Sequence, residues 1–306
     1  MKFIKNLLVG SGMSSLIYFK TTKKKLKIFS NSNSQILKSK NFYEYDGIGG
    51  NSNIWGGYIN FKRHKKFLQN KKYQKFFLNN IFKVKKIFKS TSKFSNTYCL
   101  MDNTNKIFRI NKKFFKNDLI KKKIKKIFIK KNFIELFYDD KKLSVATLSL
   151  CIGNLNLIKL LYNSNWINLN DTISFNDSKC NYVLNLFIDQ KKNYYIPMPI
   201  GKILEKIFFK KSKTYKTISE TIILQKFSGI VKNYKISCED LLKMKKSNIR
   251  FFLSNHVSNL KINNIPIRKF IYQRSKKINV FCSGTVKKYL PGPIIQDLIF
   301  DITNNQ

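Results

Sequence analysis

Short apolar runs alternate with polar turns at the start of the chain, and their spacing predicts three elements. KFIKNLLV (2–9) is a strand-length apolar run, GSGMSS (10–15) is a glycine-serine turn, SLIYFKT (15–21) has helical character, and KLKIF (25–29) is strand-like. A strand, a tight turn, a helix and a second strand in this order form a βαβ unit. Residues 1–30 are therefore predicted to begin an α/β fold.

A second informative pattern lies in the middle of the chain. The three strand-like runs KKIFIKK (125–131), NFIELFYDD (132–140) and KKLSVATLSLCIGN (141–154) are separated by charged pairs that favour turns. They predict a β-meander, followed by a helix over LNLIKLLYNS (155–164). The C-terminal piece, residues 278–302, predicts a strand, a turn with the sequence Pro-Gly-Pro, and a final helix that begins near a proline.

The first turn carries the spacing of a dinucleotide-binding motif. Gly10, Gly12 and Ser15 form GxGxxS, in which the first glycine allows a sharp turn and the second lets a pyrophosphate approach the backbone. The third position requires a small residue for close packing of helix on strand, and serine is small enough. An acidic residue usually binds the adenosine ribose at the end of the second strand, but here that position is Ser30.

Glycine is concentrated in one further stretch, GIGGNSNIWGG at residues 47–57. It holds five of the twelve glycines of the chain. In a composition dominated by lysine, asparagine, isoleucine and phenylalanine, glycine persists where backbone geometry or a closely approaching ligand requires it. This stretch is therefore predicted to be a second part of the same ligand cradle.

The chain is strongly basic, with 60 Lys+Arg against 16 Asp+Glu and a net charge of +44. Clustered lysines could serve a nucleic acid or an anionic membrane, or they could reflect the codon usage of an AT-rich genome. Codon usage accounts for more of the composition, because asparagine and isoleucine are enriched together with lysine while arginine is scarce. Since no nucleic-acid-binding motif occurs, we predict no specific nucleic-acid partner.

The cysteines and histidines exclude a metal centre and indicate a compartment. The five cysteines are scattered without a CxxC pair, and only two histidines are present, so no metal-binding residues are predicted. Isolated buried thiols are typical of a reducing compartment, here the cytoplasm. LLVGSGMSSLIYF follows an N-terminal basic start, but TTKKK follows it instead of a cleavage site, so we expect neither a signal peptide nor a transmembrane segment.

Taken in order, four segments resemble FAD-dependent oxidoreductases of the glucose-methanol-choline (GMC) type. VGSGMSS (9–15) is similar to the family's dinucleotide motif, and GIGGNSNIWGG to the loop that wraps the flavin and pyrophosphate. LSVATLSLCIGNLNLIKLLYNS (143–164) resembles a third family segment, with Gly153 at its glycine. NVFCSGTVKKYLPGPIIQDLIF (279–300) resembles the C-terminal strand and helix that return to the flavin. The chain is considerably shorter than the usual members of this family.

The resemblance implies a fold and a division into lobes. It implies a Rossmann-like FAD-binding lobe, with a βαβ start, a central parallel sheet and a β-meander, and a second α+β cap or substrate lobe. The first lobe is expected to comprise residues 1–60, 140–165 and 275–306, and the second residues 61–139 and 166–274. The chemistry implied is hydride transfer from the CH–OH group of a small, carbohydrate-like alcohol to flavin N5.

The resemblance also implies site residues. His256 lies 28 residues before Gly284, close to the position of the family's catalytic base, and histidine suits this role because its ordinary pKa is about 6.5. The implied FAD-binding residues are Gly10, Gly12, Ser14, Ser15, Ser30, Gly49, Gly50, Asn51, Ser52, Asn53, Trp55, Gly56, Gly153, Gly284, Thr285, Gly292 and Pro293.

Two alternatives stay open at the level of sequence. Ser30 replaces the ribose-binding acid, Val257–Asn259 replace the family's H-x-x-G-T continuation, and Gly292 stands where the family has a second catalytic His or Asn. These departures are expected of a protein that binds FAD but does not catalyse a reaction. The charge is compatible with a different class, a basic protein that binds nucleic acid or another polyanion and whose glycine loops are structural.

Overall fold

A computed structural model describes residues 2–31, 35–39, 42–53, 58–78, 83–86, 97–101, 108–182, 185–186, 222–223, 227–243, 257–287 and 295–305. The strands are β1 Lys2–Val9, β2 Lys27–Ser30, β3 Gln35–Ser39, β4 Phe42–Asp46, β5 Tyr58–Asn60, β6 Lys83–Lys86, β7 Thr97–Met101, β8 Leu119–Lys121, β9 Ile124–Ile129, β10 Ile134–Tyr138, β11 Lys141–Leu150, β12 Thr172–Tyr182, β13 Asn185–Leu186, β14 Ile222–Ile223, β15 Phe227–Ser237, β16 Val257–Ile262, β17 Ile265–Pro266 and β18 Ile278–Val280.

The helices follow in the same order along the chain. They are α1 Met13–Thr21, α2 Phe61–Leu68, α3 Lys71–Leu78, α4 Asn154–Asn163, α5 Cys238–Lys243, α6 Ile267–Arg274 and α7 Ile295–Asn304. Short 3₁₀ turns span Gly50–Asn53, Lys112–Asp118 and Ser283–Thr285. The predicted βαβ start, β-meander, central helix, and C-terminal strand and helix are all confirmed. The Pro-Gly-Pro turn lies outside the described residues.

The largest sheet has seven strands in the order β8-β2-β1-β11-β10-β9, with β18 also paired to β11. Strands β8, β2, β1, β11 and β18 are mutually parallel, whereas β10 is antiparallel to both β11 and β9. In the register of β1 and β11, Val9 lies opposite Leu150, so the two strands end side by side. Parallel strands joined by helices are the expected product of βαβ units.

The C-terminal part of β1, Leu7–Val9, is buried on both faces, which explains its unbroken apolar run. Leu7 and Val9 belong to one core cluster, which also holds Leu157 and Ile158 of α4. Leu8 belongs to the other cluster, with Leu16 and Ile17 of α1 and with residues of α7. Central strands of parallel sheets are covered on both sides, so their sequences are continuous rather than alternating.

A second sheet is antiparallel, in the order β15-β12-β16-β17. Its buried residues Ile173, Phe175, Leu260 and Ile262 pack in the same core cluster as β11 and α4. The α/β fold class, with a parallel-rich sheet and a second antiparallel sheet, is therefore as predicted. Within the described part of the chain, no helix has both the length and the apolar character needed to cross a membrane.

The pairing of the strands differs from the predicted division into lobes at one point. The sequence predicts residues 61–139 to belong to the cap or substrate lobe, but β8, β9 and β10 lie in that range and hydrogen-bond into the sheet of β1. The buried side chains of Tyr73 and Phe115 likewise pack with α1 and α7. A meander cannot be divided between lobes because each strand completes the hydrogen bonds of the next. The rest of the division stays a prediction.

One ion pair ties the C-terminal helix to the body of the fold. Arg268 of α6 makes a bidentate pair with Asp301 of α7, at 2.7 Å and 3.1 Å, and the Thr285 hydroxyl donates to the same carboxylate at 3.1 Å. The Asp301 side chain is only 16% exposed. Planar bidentate geometry and partial burial make such a pair stronger than an exposed one.

Asp301→Ala is expected to lower the free energy of unfolding by about 2 kcal/mol, because it leaves Arg268 and Thr285 without their shared acceptor. Asp118→Ala is the control, since Asp118 pairs with Lys27 in a more exposed bridge at 3.2 Å. It is expected to cost less than about 1 kcal/mol. Urea denaturation measures both, and equal losses in the two variants would contradict the assignment.

Candidate dinucleotide-binding site

The predicted glycine motifs meet where three neighbouring parallel strands end. The Cys151 amide donates to the Val9 carbonyl at 2.8 Å, and the Phe281 amide donates to the Leu150 carbonyl at 2.8 Å. The loops that leave β1, β11 and β18 therefore start side by side at one edge of the sheet. This edge, at the carboxyl ends of parallel strands, is where open α/β sheets bind their ligands.

Gly10 forms the turn that leaves β1. Its φ is +115°, and a Cβ at this position would lie 2.3 Å from the Cys151 carbonyl oxygen. Its amide donates to the Phe29 carbonyl at 2.7 Å, which joins the turn to β2. A side chain is excluded here by both the backbone conformation and the close approach of the loop after β11. The role predicted for the first glycine, a sharp turn, is the one observed.

Gly12 lies at the N-cap of α1 and differs from Gly10 in its surroundings. A Cβ on Gly12 would come no closer than 3.8 Å to another atom, the Gly49 carbonyl oxygen. No described side chain caps the start of α1, and its first turn contains no acidic residue. No acidic residue of the first turn therefore offsets the partial positive charge of this helix start. Ser14, also predicted to bind the cofactor, lies half-buried in the same turn.

Ser15 has the packing role that its position in the motif predicts. Its side chain is fully buried, and its hydroxyl donates to the Cys151 carbonyl at 3.3 Å. The serine thus bonds the helix to the loop after β11, where glycine or alanine would only make room. A contact of Ser15 with the cofactor would have to come from its backbone amide.

The second glycine stretch packs directly on the first. The Gly49 amide donates to the Ser11 carbonyl at 3.0 Å, and a Cβ on Gly50 would lie 3.4 Å from Gly12 Cα. Gly50 has a φ of +51°. The Ser52 hydroxyl closes this loop by donating to the Gly49 carbonyl at 2.7 Å. The two stretches, almost forty residues apart in sequence, form one surface around the start of α1.

Four further predicted residues lie partly or wholly outside the described residues. Asn51 and Asn53 belong to the 3₁₀ turn Gly50–Asn53, but their side chains are not described. Trp55, Gly56 and the remainder of the glycine stretch up to residue 57 lie outside the described residues. Their roles at the flavin stay predictions.

Ser30, at the predicted ribose position, is engaged by the glycine turn. Its hydroxyl lies 2.5 Å from the Ser11 hydroxyl, which is also 3.3 Å from the Gly47 carbonyl oxygen. Both serines are buried. The pair links the end of β2 to the two glycine stretches. A ribose contact at Ser30 stays a prediction, and the hydroxyl would have to be shared with Ser11.

Arg109 is a residue of the site that the sequence did not indicate. Its Nη1 donates to the Ser52 carbonyl at 2.6 Å, and the neighbouring Ile110 amide donates to the Ser52 hydroxyl at 3.3 Å. Arg109 therefore holds the glycine loop from outside and places a positive charge beside it. The chain contains only five arginines, so an arginine kept among so many lysines was the available signal.

A second helix starts beside the first. Gly153 is the N-cap of α4, and no described side chain caps that helix. Asn154, its first residue, is buried, accepts from the Gly284 amide at 3.0 Å and donates to the Ser283 hydroxyl at 2.8 Å. The segments around Gly153 and Gly284, predicted separately, are thus joined through an asparagine that sequence analysis did not select.

Thr285, by contrast, is turned toward the protein. Its hydroxyl bonds the Cys282 carbonyl at 2.8 Å as well as Asp301. Gly292 and Pro293 lie outside the described residues, as does His256, which directly precedes β16. The backbone amide of Asn259, in β16, donates a hydrogen bond to the Val286 carbonyl at 2.8 Å. This strand therefore runs next to the turn that holds Gly284 and Thr285.

Two buried thiols lie beneath the site. Burial raises the pKa of Cys151, and burial raises the pKa of Cys282 to about 11. Both are free thiols that stay neutral near pH 7 and pack as small apolar groups. With Cys238, they are buried free thiols as expected from the sequence, but Cys151 and Cys282 are close enough to interact and are not isolated from each other.

No protein-family model and no curated protein matches the chain. Solved structures with a similar fold include p-nitrophenol 4-monooxygenase from Pseudomonas putida, at 9% identity over 58% of this chain and 48% of that chain, with a TM-score of 0.32. NikD, an amino acid oxidase essential for nikkomycin biosynthesis, matches at 8% identity over 61% of each chain, with a TM-score of 0.30. A flavin-containing monooxygenase from Stenotrophomonas maltophilia matches at 7% identity over 49% of this chain and 38% of that chain, with a TM-score of 0.27.

These matches cover less than two thirds of each of the other proteins. Flavin enzymes are thus among the proteins with which the fold is partly similar. The three proteins are named as a p-nitrophenol monooxygenase, an amino acid oxidase and a flavin-containing monooxygenase, and none of these three is named as a GMC oxidoreductase.

Substitution by alanine is expected to have different consequences at the two glycines of the first turn. Gly10→Ala is expected to lower the free energy of unfolding by about 3 kcal/mol, because the new Cβ meets the Cys151 carbonyl at a positive φ. Gly12→Ala is expected to change it by less than about 1 kcal/mol. It should nevertheless weaken FAD binding about tenfold or more, because the methyl group projects where the pyrophosphate would approach.

Urea denaturation and titration with FAD, followed by quenching of flavin fluorescence, measure the two effects separately. A Gly12→Ala protein that unfolds like Gly10→Ala would show that the space beside Gly12 is not available. A Gly12→Ala protein with unchanged affinity for FAD would show that this space is not used.

Arg109→Met is expected to weaken FAD binding about tenfold, because the Ser52 carbonyl loses its donor and the glycine loop loses its support. Arg274→Met is the matched control, since Arg274 donates to the Trp166 carbonyl at 3.0 Å on a different part of the surface. Each variant should cost about 1–2 kcal/mol of stability, but only the first should lose affinity. Equal FAD affinities in the two variants would remove Arg109 from the site.

Proposed function

We propose that the chain is an FAD-binding protein of the oxidoreductase class, resembling the GMC family, which oxidises the CH–OH group of a small substrate. The observation that carries the proposal is the start of α1. It lacks a described capping side chain, it has open space at Gly12, and the loop around Gly49 and Gly50 borders it. This combination suits a bound pyrophosphate.

The chemistry of the donors supports an anionic ligand. Backbone N–H groups at a helix start bind phosphate through hydrogen bonds and through the helix dipole, without a charged side chain. Two such starts, those of α1 and α4, lie at neighbouring strand ends, and neither has an acidic residue in its first turn. Backbone amides of residues 10–15 and 49–53 would hold the cofactor, and Arg109 would add a positive charge near them.

The proposed reaction requires one acid–base group from the protein, a general base. FAD, when bound, accepts a hydride. His256 would accept the hydroxyl proton of the substrate, because a neutral imidazole is a suitable base near pH 7. A small alcohol or sugar is the substrate class, and the family resemblance alone supports this choice.

A second candidate is an FAD-binding protein without turnover. The observation that favours it is the environment of Ser30, which stands at the position of the ribose-binding acid. Its hydroxyl lies 2.5 Å from the Ser11 hydroxyl and is therefore already hydrogen-bonded within the protein. Together with the sequence departures at Val257–Asn259 and Gly292, this engaged hydroxyl points to a site that retains the pyrophosphate cradle but not the full set of polar contacts.

Purification tests both candidates at once. A protein of either kind should carry flavin absorbance or acquire it on incubation with FAD, and the bound molecule released by denaturation should be FAD. A colourless protein that takes up no added FAD would contradict both. Anaerobic mixing of the flavin-loaded protein with a panel of alcohols and sugars then separates them, because only the enzyme bleaches its flavin.

His256→Ala is expected to slow flavin reduction about 10²- to 10⁴-fold, the usual contribution of a general base. The control is His64→Ala, which removes the other histidine of the chain and should leave the rate unchanged. Stopped-flow absorbance measures the rate, and the flavin content of each variant is measured first. Equal rates of reduction in the two variants would exclude His256 as the base.

A further inference from the structure

The meander of β9, β10 and β11 has a face that points away from the core. Ile127, Leu136 and Leu143 face inward and are fully or almost fully buried. The alternate residues form two rows across the sheet. One row runs Phe3, Ser144, Glu135 and Phe128, of which the small Ser144 is itself buried, and the other runs Lys142, Phe137 and Lys126. We call these seven residues the outer meander face.

Aromatic rings are a feature of this face. Phe3 of β1 is 61% exposed, the largest exposure among the large apolar side chains of the described residues. Phe128 and Phe137 are half-buried and contact each other edge to face, with ring centroids 5.1 Å apart. One exposed phenylalanine and two half-buried ones form an apolar patch on one outward-facing sheet surface, and such a patch indicates a function in binding.

Lysines flank the rings. Lys126 and Lys142 are exposed and lie directly opposite Phe137 on its two neighbouring strands. The Lys142 ammonium stands 5.1 Å from the centroid of the Phe137 ring. Lys5, two residues after Phe3 on β1, is also exposed. Three exposed lysines thus share the outer side of the sheet with the rings, and one of their ammonium groups lies over the Phe137 ring.

Acidic groups near the face do not cancel this charge. Asp139 and Asp140, at the turn after β10, already pair with Lys122 at 2.6 Å and Lys125 at 3.3 Å. Glu135 is the acidic residue of the two rows, and it lies opposite Phe128 on one neighbouring strand and Ser144 on the other. The face is therefore net positive as well as aromatic, which favours a partner that offers both negative charge and flat apolar rings.

We propose that the outer meander face binds single-stranded nucleic acid without sequence specificity. Lysines would neutralise phosphates while the exposed Phe3 ring and the accessible parts of the Phe128 and Phe137 rings stack on bases, the combination by which flat sheet surfaces hold single strands. Phe3 and Phe128 lie three strand spacings apart, about 14 Å, which accommodates two or three nucleotides. A membrane is the weaker match, because lysines interrupt the rings and two of the rings are half-buried in the sheet.

The test is titration of a fluorescent oligothymidylate of about 15 nucleotides, followed by anisotropy at several salt concentrations. The variant Lys126→Glu/Lys142→Glu should bind at least about tenfold more weakly than the native protein, with a salt slope shallower by about 1.4. Lys71→Glu/Lys75→Glu, on exposed positions of α3, changes the net charge equally and should lose less than about threefold.

Phe3→Ser tests the stacking, with Phe3→Tyr as the conservative control. Loss of one stacked base should weaken binding about tenfold in the serine variant, whereas tyrosine should restore it. Because Phe3 is largely exposed, neither change should alter the urea midpoint, which is measured on every variant together with far-UV circular dichroism.

Several outcomes would overturn the proposal. Equal losses from the two charge-reversal pairs would show that only the net charge acts. Unchanged binding by Phe3→Ser would show that no base stacks there. Heparin that binds as tightly as the oligonucleotide would indicate a general polyanion site. Vesicles rich in phosphatidylserine that bind more tightly, through the same residues, would indicate a membrane surface.

Discussion

The structure depends on the contact between the turn after β1 and the loop after β11. Gly10 brings its backbone against the Cys151 carbonyl at a distance that no side chain permits, while Ser15 donates to the same oxygen. This contact sets the direction of α1, because the helix begins at Met13, three residues after Gly10. It also sets the position of α4, which begins at Asn154, three residues after Cys151. The whole candidate site is arranged around it.

The remaining parts of the site pack around this contact, each held by the one before it. The loop around Gly49 rests on Gly12 and Ser11, and Arg109 supports that loop through Ser52. On the other side, Asn154 holds the turn at Gly284, and Asp301 ties the same region to the C-terminal helix. Segments from most of the chain length therefore hold one small backbone surface. Such convergence gives an anion site rigidity without requiring charged ligating side chains.

Much of the fold could be predicted because its signals are local. The βαβ start and the meander are visible as runs of apolar residues bounded by turns, and glycines at fixed spacing mark the first turn. The lobe boundary at residue 139 could not be predicted correctly, because periodicity identifies strands but not their partners. Arg109 and Asn154 could not be selected either, since each acts through a single hydrogen bond to a backbone distant in sequence. The outer meander face became visible only through the register of three paired strands.

By itself the sequence determined the elements, their order, and the two glycine stretches in which a ligand can approach the backbone. It did so because propensity, periodicity and the steric demands of glycine act over a few residues. Only the tertiary structure decided which predicted residues face the site. It engaged Ser15, Ser30 and Thr285 with protein partners, and left the space beside Gly12 open. The physical reason is that a hydroxyl or an open volume is defined by its neighbours, and those neighbours come from strands far apart in sequence.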